Sequence, residues 1–412
     1  MTPDAIVVGA GPAGAATAIL LAERGAAVVL LDRARFPRDK LCGEYLSPEA
    51  SRVLDRLGVL KTVETRGARP LRGMRIRAPD GTLLVADYPA GGRWRGYRDH
   101  ALAARRRVLD HALVERAREI GVDVREAMRV VDVLGDERRL RGVRAVPLGS
   151  GPGTAPEPLR APLVIAADGR ASVVARRLGL LLPHPWLRRL ALVADVEGAR
   201  VDPDRGEIFV APPAYAIMNP VVPGLVNLTL VIPLGAAPRG RRELAACFDR
   251  AVREQPGLAD RLRGARRASP VRALGPLAFR VAPPRSAGVV LVGDAAGFLD
   301  PFTGEGVYAA LRSAELAAET AGAALARGDV SAAALAPAHA RRAREFAAKL
   351  RVTIALQHVI AHRGLASAVA RLLAGRPDHL GRLMGVFGDF VPPGALLAPR
   401  FLAGLLRPGR AC

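Results

Sequence analysis

The sequence predicts an α/β fold in which a nucleotide-binding domain with a parallel sheet carries an inserted antiparallel sheet and precedes C-terminal helices. Residues 5–32 run strand, glycine turn, helix, strand, with β-branched apolar residues in the strands. The buried-strand pattern returns twice, in "LVIAADG" (163–169) and "AGVVLVGDAAG" (287–297). Between about 183 and 280 apolar and polar residues alternate, which is typical of antiparallel strands.

The remaining elements follow in chain order. A helix is expected after Ser47, which can act as its N-cap, and residues 71–98 consist of short alternating segments. "RRRVLDHALVERAREIG" (105–121) predicts an amphipathic helix, and "RRELAACFDRAVRE" (241–254) interrupts the later strands as another helix. After Gly304 the pattern is helical, with a break near Gly328.

These patterns divide the chain into three regions. A discontinuous nucleotide-binding domain takes residues 1–70, 99–182 and 281–328. A substrate-binding antiparallel sheet domain takes residues 71–98 and 183–280. A helical region occupies residues 329–412.

The basic charge has two interpretations. The 412 residues carry a formal net charge of +22, and the basic residues are almost all arginine. An anionic partner could account for this charge, but the arginines are scattered, which favours a compositional origin. Aromatic residues make up only 4% of the chain, so a base-stacking surface is not expected and neither is a nucleic-acid partner.

The cysteines indicate the cellular compartment, and the apolar runs indicate whether the chain contacts a membrane. Cys42, Cys247 and Cys412 are far apart, so we expect no disulfide framework and a cytoplasmic location. The chain shows no leader pattern, and no apolar run is long enough to span a membrane. The apolar tail 390–406 is broken by prolines, so peripheral membrane contact stays open, as does the oligomeric state.

The first glycine turn predicts an adenine dinucleotide. Gly9-x-Gly11-x-x-Gly14 lies between a strand and a helix; its glycines allow a tight turn, close backbone approach to a pyrophosphate, and close helix packing. Asp32 ends the second strand, where its carboxylate can accept hydrogen bonds from ribose hydroxyls and would repel a 2′-phosphate. The turn therefore indicates a Rossmann-like site for FAD or NAD, with NADP disfavoured as the resident nucleotide.

A second glycine segment favours FAD. Strand residues 289–292 lead into Gly293-Asp294, an irregular loop, and a helix entered through Gly304-Glu305-Gly306. Asp294 can hold a hydroxyl of the ribityl chain, and the positive end of the helix suits the edge of an isoalloxazine that gains negative charge on reduction.

The three motifs, in this order, resemble the FAD-dependent oxidoreductases built like p-hydroxybenzoate hydroxylase, over about residues 4–330. The resemblance implies a Rossmann-like FAD-binding domain, with Arg106 (or its neighbour Arg107) near the pyrophosphate and the backbone of Val130 near the adenine. It also implies that Asp168-Gly169 contacts FAD and transient NAD(P)H. The cofactor-binding residues predicted in this way are Gly9, Gly11, Pro12, Ala13, Gly14, Asp32, Arg33, Arg106, Val130, Asp168, Gly169, Gly293, Asp294, Pro301, Gly304, Glu305, Gly306 and Val307.

The segment "FPRDKLCGEYLSP" (36–48) resembles a signature of the geranylgeranyl reductase family. The resemblance implies that Cys42, Gly43 and Glu44 line the cavity near the flavin, with Glu44 positioning the cofactor or a substrate proton. In the archaeal reductases a Tyr-x-Trp-x-Phe-Pro pattern lies in the substrate sheet. Here Tyr215-Ala-Ile217-Met-Asn219-Pro220 keeps only the tyrosine and the proline, so Tyr215 is a candidate lining residue and long isoprenoids are in doubt.

Two functions stay open at this point. One is NAD(P)H-linked reduction of a carbon–carbon double bond in a hydrophobic prenyl or polyketide-type substrate, which the Cys-Gly-Glu segment supports. The other is flavin-dependent hydroxylation of an aromatic or polyketide substrate, which the fold supports equally. A non-catalytic FAD-binding module is disfavoured because the inserted sheet would build a cavity over the flavin. No metal is expected, since His358 and His362 have helical spacing without further ligands.

Overall fold

The computed structural model describes residues 2–151, 153–238, 240–255 and 257–406. Cys412 lies outside these ranges. The strands within them are β1 (Ala5–Val8), β2 (Val28–Leu31), β3 (Tyr45–Leu46), β4 (Arg69–Leu71), β5 (Gly73–Arg77), β6 (Leu83–Asp87), β7 (Ala101–Ala103), β8 (Asp123–Arg125), β9 (Met128–Gly135), β10 (Leu140–Pro147), β11 (Glu157–Arg160), β12 (Leu163–Ala166), β13 (Leu181–Pro183), β14 (Arg189–Glu197), β15 (Arg205–Ala211), β16 (Ala214–Val222), β17 (Leu225–Pro233), β18 (Arg266–Arg267), β19 (Arg272–Leu274), β20 (Phe279–Val281) and β21 (Val289–Leu291).

The helices alternate with the early strands and dominate the C-terminal part. They are α1 (Pro12–Ala22), α2 (Pro48–Arg56), α3 (Leu60–Thr65), α4 (Arg106–Glu119), α5 (Val173–Arg177), α6 (Leu244–Arg253), α7 (Leu258–Arg261), α8 (Gly306–Ala326), α9 (Ala332–Ala361), α10 (Arg363–Leu373), α11 (Pro377–Phe387) and α12 (Pro399–Leu406).

The nucleotide-binding domain is built on a parallel sheet in the order β21-β12-β1-β2-β8. Alternate side chains of its central strands enter two different cores. Val7 and Ile165 pack with residues of α1, α4 and α8 on one face, whereas Ile6 and Val164 pack with residues of β9 and β10 on the other. Because both faces are covered, these strands are apolar along their whole length, which is why the sequence shows runs instead of alternation.

The substrate domain contains a sheet in the order β18-β14-β17-β16-β15-β5-β6, with β19 also paired to β14. Strands from the two predicted segments, 71–98 and 183–280, therefore join in one sheet. One pair differs from the antiparallel expectation, because β5 and β15 run parallel. The chain between them passes through the nucleotide-binding domain, and a long connection of this kind permits a parallel pair.

The C-terminal helices pack on both domains. α9 lies against α8, and α11 lies against β6 at the edge of the substrate sheet. In the tail, Val391 and Phe401 are buried, while Leu397 is 74% exposed and Leu402 is 47% exposed. None of the described helices is both long and apolar enough to cross a membrane. The α/β fold with an inserted sheet and C-terminal helices is confirmed.

Candidate active site

Four predicted motifs meet at one edge of the parallel sheet. The glycine turn follows β1, Asp32 follows β2, Asp168 follows β12, and Gly293-Asp294 comes just after β21. These strands are neighbours and parallel, so their carboxyl ends lie side by side. In open α/β sheets this edge is where nucleotides bind.

The three glycines of the first turn differ in what surrounds them. Gly9 has φ +97°, and a Cβ there would lie 2.6 Å from the carbonyl oxygen of Ala167. A Cβ on Gly14 would lie 1.8 Å from the carbonyl oxygen of Gly9, so α1 needs glycine to pack so close. A Cβ on Gly11 would have only the guanidinium groups of Arg38 and Arg106 nearby, at 3.8 and 3.9 Å. The space above Gly11 is therefore a cradle that faces positive charge.

Pro12 and Ala13 open α1 behind this cradle, with Gly11 as the N-cap. The first amides of a helix have no partner within the helix and attract anions. The turn thus combines backbone N–H groups, a helix dipole and two arginines.

Asp32, the residue expected to bind a ribose, is held in place by backbone N–H groups on both sides. Its carboxylate accepts hydrogen bonds from the backbone N–H groups of Ala10 and Ala34, both at 2.8 Å, and is nearly buried. The next residue, Arg33, is exposed. The backbone N–H of Met128 donates to the Asp32 carbonyl at 2.8 Å, which aligns the start of β9, and with it Val130, beside this corner.

The arginines of the cradle are fixed by a buried carboxylate. Arg106 donates two hydrogen bonds of 2.8 Å to Asp110, one helical turn later. Arg38 lies 3.0 Å from the same carboxylate and 3.7 Å from Asp32. Because both guanidinium groups are anchored on Asp110, both are held in place beside the cradle.

Two further segments, Asp168-Gly169 and Gly293-Asp294, complete this edge of the site. Asp168 accepts a hydrogen bond of 2.7 Å from the N–H of Val173, and Gly169 has φ +75°. Gly293 needs its missing side chain, because a Cβ there would lie 2.7 Å from the Cβ of Ala13. Burial raises the pKa of Asp294, and the positive charges of Arg170, Arg106, Lys40 and Arg342 oppose that rise.

Helix α8 is the second helix whose N-terminus is expected to face the cofactor. Gly304 has φ +68°, and its N–H donates to the Pro301 carbonyl at 3.0 Å. Glu305 is the N-cap of α8, whose first residues are Gly306 and the buried Val307. Lys349 of α9 lies 3.4 Å from the Glu305 carboxylate.

The Cys-Gly-Glu segment bridges the cofactor side and the substrate sheet. Cys42 lies beside the Arg106 guanidinium. The carbonyl of Gly43 accepts a hydrogen bond of 2.7 Å from the side-chain amide of Asn219 on β16. The segment therefore touches both parts of the expected cavity.

Glu44 is strained and nearly buried. It has φ +55°, which is rare for a residue with a side chain, and its Oε1 accepts a hydrogen bond of 3.2 Å from the N–H of Arg106. Its Oε2 is buried and has no hydrogen-bond partner. Burial raises the pKa of Glu44 to about 7, although the Arg105 guanidinium, 3.5 Å away, acts in the opposite direction. Glu44 can therefore hold a proton near neutral pH.

Tyr215 does not take the lining position expected for it. It has no exposed surface, and its hydroxyl donates a hydrogen bond of 2.5 Å to Asp300. Tyr215 and Asn219 lie on the same face of β16, and there the Tyr215 ring is covered by Phe302, whose ring centroid is 5.2 Å away. A direct contact between this ring and a substrate is not compatible with that placement.

An FAD binding domain model matches residues 2–352 of the chain. The chain belongs to this FAD-binding family. The residues around the glycine turn fit the cofactor on their own evidence, because the cradle over Gly11 faces two arginines and Asp32 marks the ribose end.

Two of the three relatives that follow are named as reductases, and the third is named as a receptor. The flavoprotein is 31% identical to menaquinone reductase of Mycolicibacterium smegmatis, over 77% of this chain and 75% of that protein. It is 30% identical to digeranylgeranylglycerophospholipid reductase of Methanoculleus marisnigri, over 81% of this chain and 80% of that protein. It is also 30% identical to conditioned medium factor receptor 1 of Dictyostelium discoideum, over 76% of this chain and 62% of that protein.

Solved structures share the fold of this flavoprotein. A flavin-dependent brominase superposes with a TM-score of 0.81 over 99% of this chain and all of its own, at 19% identity. A geranylgeranyl bacteriochlorophyll reductase-like protein from Thermoplasma acidophilum gives a TM-score of 0.72 over 98% of this chain and 96% of its own, at 22% identity. At these identities the likeness concerns architecture alone.

Sequence reasoning missed three contributors to the flavoprotein's site. The sequence assigns no role to Arg38 within the segment 36–48, shows Asn219 only as a lost aromatic, and shows Arg105 only as the start of a helix. The one signal that could have found Arg38 is its position four residues before Cys42, within the same signature segment.

Proposed function

We propose that this flavoprotein is an NAD(P)H-linked reductase of a carbon–carbon double bond in a hydrophobic, prenyl or polyketide-type substrate. The observation that carries the proposal is the Cys42–Glu44 segment, which contacts Arg106 through Glu44 on the cofactor side and Asn219 through Gly43 on the substrate sheet. Bound FAD supplies the hydride in such a reaction. Two of the curated relatives are named menaquinone reductase and digeranylgeranylglycerophospholipid reductase, which supports the same class.

Glu44 is suited to supply the proton that the reduction needs beside the hydride. Saturating a double bond adds a hydride to one carbon and a proton to the other. Glu44 combines a pKa of about 7 with an unpartnered Oε2, in the segment that joins cofactor and substrate sides. A general acid works best when its pKa lies near the operating pH. Glu44 is therefore the proposed proton donor.

The substrate sheet argues for a substrate other than a long, unmodified polyprenyl chain. Asn219 stands where the archaeal reductases have phenylalanine, and its amide is used to hold Gly43. An amide in this place removes apolar surface from the cavity wall and gives the backbone of the signature segment a fixed position. A substrate with a ring system, such as a quinone or polyketide bearing an unsaturated chain, fits this change best.

Hydroxylation of an aromatic or polyketide substrate is the alternative. The same cofactor and fold serve oxygen-dependent flavoproteins, so the structure supports it at the level of architecture. No contact of Cys42, Gly43 or Glu44 favours it over reduction.

The test is product analysis of the purified, FAD-loaded protein under two atmospheres. The protein is incubated with NADH or NADPH and with menaquinone, a geranylgeranyl lipid or an aromatic polyketide, once without oxygen and once in air. A product that gains two hydrogens anaerobically supports the reductase. A product that gains one oxygen atom, formed only in air, would replace the proposal with hydroxylation. Glu44→Gln is the matched variant, and it should retain FAD and lose turnover.

A further inference from the structure

A buried ionic cluster connects the substrate sheet with the turn in front of α8. Asp300 lies in that turn, and Arg189 and Tyr215 begin β14 and β16 of the substrate sheet. All three are buried, with 2% of Asp300, 6% of Arg189 and none of Tyr215 exposed. The Tyr215 hydroxyl donates to Asp300 Oδ1 at 2.5 Å, and an Arg189 nitrogen lies 3.8 Å from Asp300 Oδ2.

The contacts within the cluster are close on every side. The Arg189 guanidinium lies over the Tyr215 ring, 5.5 Å from its centroid. The Tyr215 ring meets Phe302 edge-on, with centroids 5.2 Å apart. Gln357 of α9, which is fully buried, also lies beside the Asp300 carboxylate. Elements from all three regions of the chain therefore converge on one carboxylate.

Asp300 in turn shapes the segment that leads into α8. Its Oδ1 also accepts a hydrogen bond of 3.0 Å from the N–H of Phe302. A side-chain oxygen that binds the N–H two residues on fixes a local turn. The next turn, from Gly304 N–H to the Pro301 carbonyl, follows directly and ends at Gly306, where α8 begins.

Stability alone does not explain an ionic cluster in this place. A buried ion pair is often no more stabilising than apolar side chains of the same volume, because both charges lose their hydration. What such a pair provides is a defined geometry, since only one arrangement satisfies both charges. That geometry is imposed here on the turn whose glycines lead into α8, the helix whose N-terminus is expected to face the flavin.

We propose that Arg189 and Tyr215 are positioning residues for FAD: they hold Asp300, and through Asp300 they fix the turn 300–306 against the cofactor. The substrate sheet thereby sets the placement of the flavin end of the site. This inference rests on FAD binding and is independent of whether the reaction is reduction or hydroxylation.

The experiment compares Tyr215→Phe with Thr229→Val. Tyr215→Phe removes one hydrogen bond to Asp300 and leaves the volume of the ring unchanged. Thr229→Val removes a buried hydroxyl from the adjacent strand, where its partner is Asn227 and not Asp300. Each protein is freed of FAD and titrated with FAD, and the reduction potential of the bound flavin and the melting temperature are measured in parallel.

We expect Tyr215→Phe to weaken FAD binding by about tenfold and to shift the reduction potential, because a hydrogen bond to a charged acceptor is lost. Thr229→Val should leave both quantities as in the wild-type protein. Arg189→Lys keeps a charge but loses the planar fork, and should give an intermediate loss of FAD affinity.

Wild-type FAD affinity and reduction potential in Tyr215→Phe, with only the melting temperature lowered, would overturn the proposal and leave the cluster a purely structural one. Equal effects in Tyr215→Phe and Thr229→Val would overturn it as well. If Asp300→Asn, the stronger variant, does not fold, Tyr215→Phe and Arg189→Lys still decide the question.

Discussion

At the scale of single residues, two glycines of one motif carry separate functions. The Cβ position of Gly14 is filled by the Gly9 carbonyl, whereas the Cβ position of Gly11 is free of protein atoms closer than 3.8 Å. Gly14 is thus required by the fold, and Gly11 by the ligand. These surroundings agree with the separate roles that the motif predicts for the two glycines.

Gly11→Ala and Gly14→Ala should therefore fail in different ways. Gly11→Ala is expected to fold with unchanged stability and to lose FAD, because its methyl group enters the pyrophosphate cradle. Gly14→Ala is expected to lower the free energy of unfolding by about 3 kcal/mol, because α1 must move away from β1. FAD content and urea unfolding of the two proteins check this, and normal FAD content in Gly11→Ala would contradict the assignment of the cradle.

Glu44 gives a pH dependence whose sign follows from its pKa. The pKa rises from 4.5 to about 7 on folding, so the folded protein binds this proton more tightly than the unfolded chain. The stabilising contribution is complete below pH 4.5 and is lost as the pH rises through about 7. Glu44→Gln lacks this term, so its stability relative to wild type should increase by about 3 kcal/mol between pH 4.5 and pH 8.

Urea unfolding at several pH values, with FAD in excess, measures that difference. Glu49→Gln, a change at a more exposed carboxylate that pairs with Arg52, is the control and should run parallel to wild type. If the unfolding free energies of Glu44→Gln and wild type change with pH in parallel, Glu44 does not have a raised pKa and is not the proton donor.

At the scale of elements, the start of α8 is held from two sides. The substrate sheet reaches Asp300, and α9 reaches Glu305 through Lys349, which also pairs with the buried Asp389 after α11. Lys349 is itself buried, and its Nζ also lies 3.3 Å from the Phe387 carbonyl. The C-terminal helices therefore do more than cover the domain, since one of their charges is tied to the N-cap of α8.

Lys349→Met should lower the free energy of unfolding by about 3 to 5 kcal/mol, because it leaves the carboxylates of Asp389 and Glu305 without their cation. The double variant Lys349→Met/Asp389→Asn should recover part of that loss, since one uncompensated charge is then removed. Thermal unfolding measures both. An equal loss in the single and double variants would show that Lys349 acts through packing and not through its charge.

At the scale of the whole molecule, the charge of +22 is the dominant property. Many arginines are paired across elements, such as Arg105 with Asp195 and Arg205 with Asp87. With 61 basic and 39 acidic residues, pairing cannot balance the surface. The exposed Leu397 and Leu402 of the tail lie in the same chain segment as Arg400.

From this charge we expect the protein to bind vesicles of anionic phosphatidylglycerol and not vesicles of neutral phosphatidylcholine. Binding should disappear at about 0.5 M salt, because the Debye length then falls to a few ångströms. Co-sedimentation measures it, and Leu397→Ser tests whether the tail contributes apolar contact. Equal binding of the protein to both vesicle types, or binding to neither, would contradict this prediction. The arginine content would then be explained by composition alone.

Much of the cofactor site is predictable because its requirements are local. A left-handed or crowded backbone needs glycine, so Gly9 and Gly14 can be predicted from the sequence. A strand that ends in an acidic residue places a carboxylate at the sheet edge, so Asp32 can be predicted in the same way. The substrate side is not predictable in this way. Tyr215 and Asn219 share one face of a strand and are both buried, and only the tertiary structure gives them separate partners, Asp300 and Gly43.

The sequence by itself determined the order of the elements, the α/β class and the FAD-binding motifs, because periodicity and glycine placement act over a few residues. Only the tertiary structure decided which side chains complete the site. Asn219 and Gly43 are 176 positions apart, and Tyr215 and Asp300 are 85 apart. Contacts over such distances depend on how two domains close on each other, and no local pattern encodes that closure.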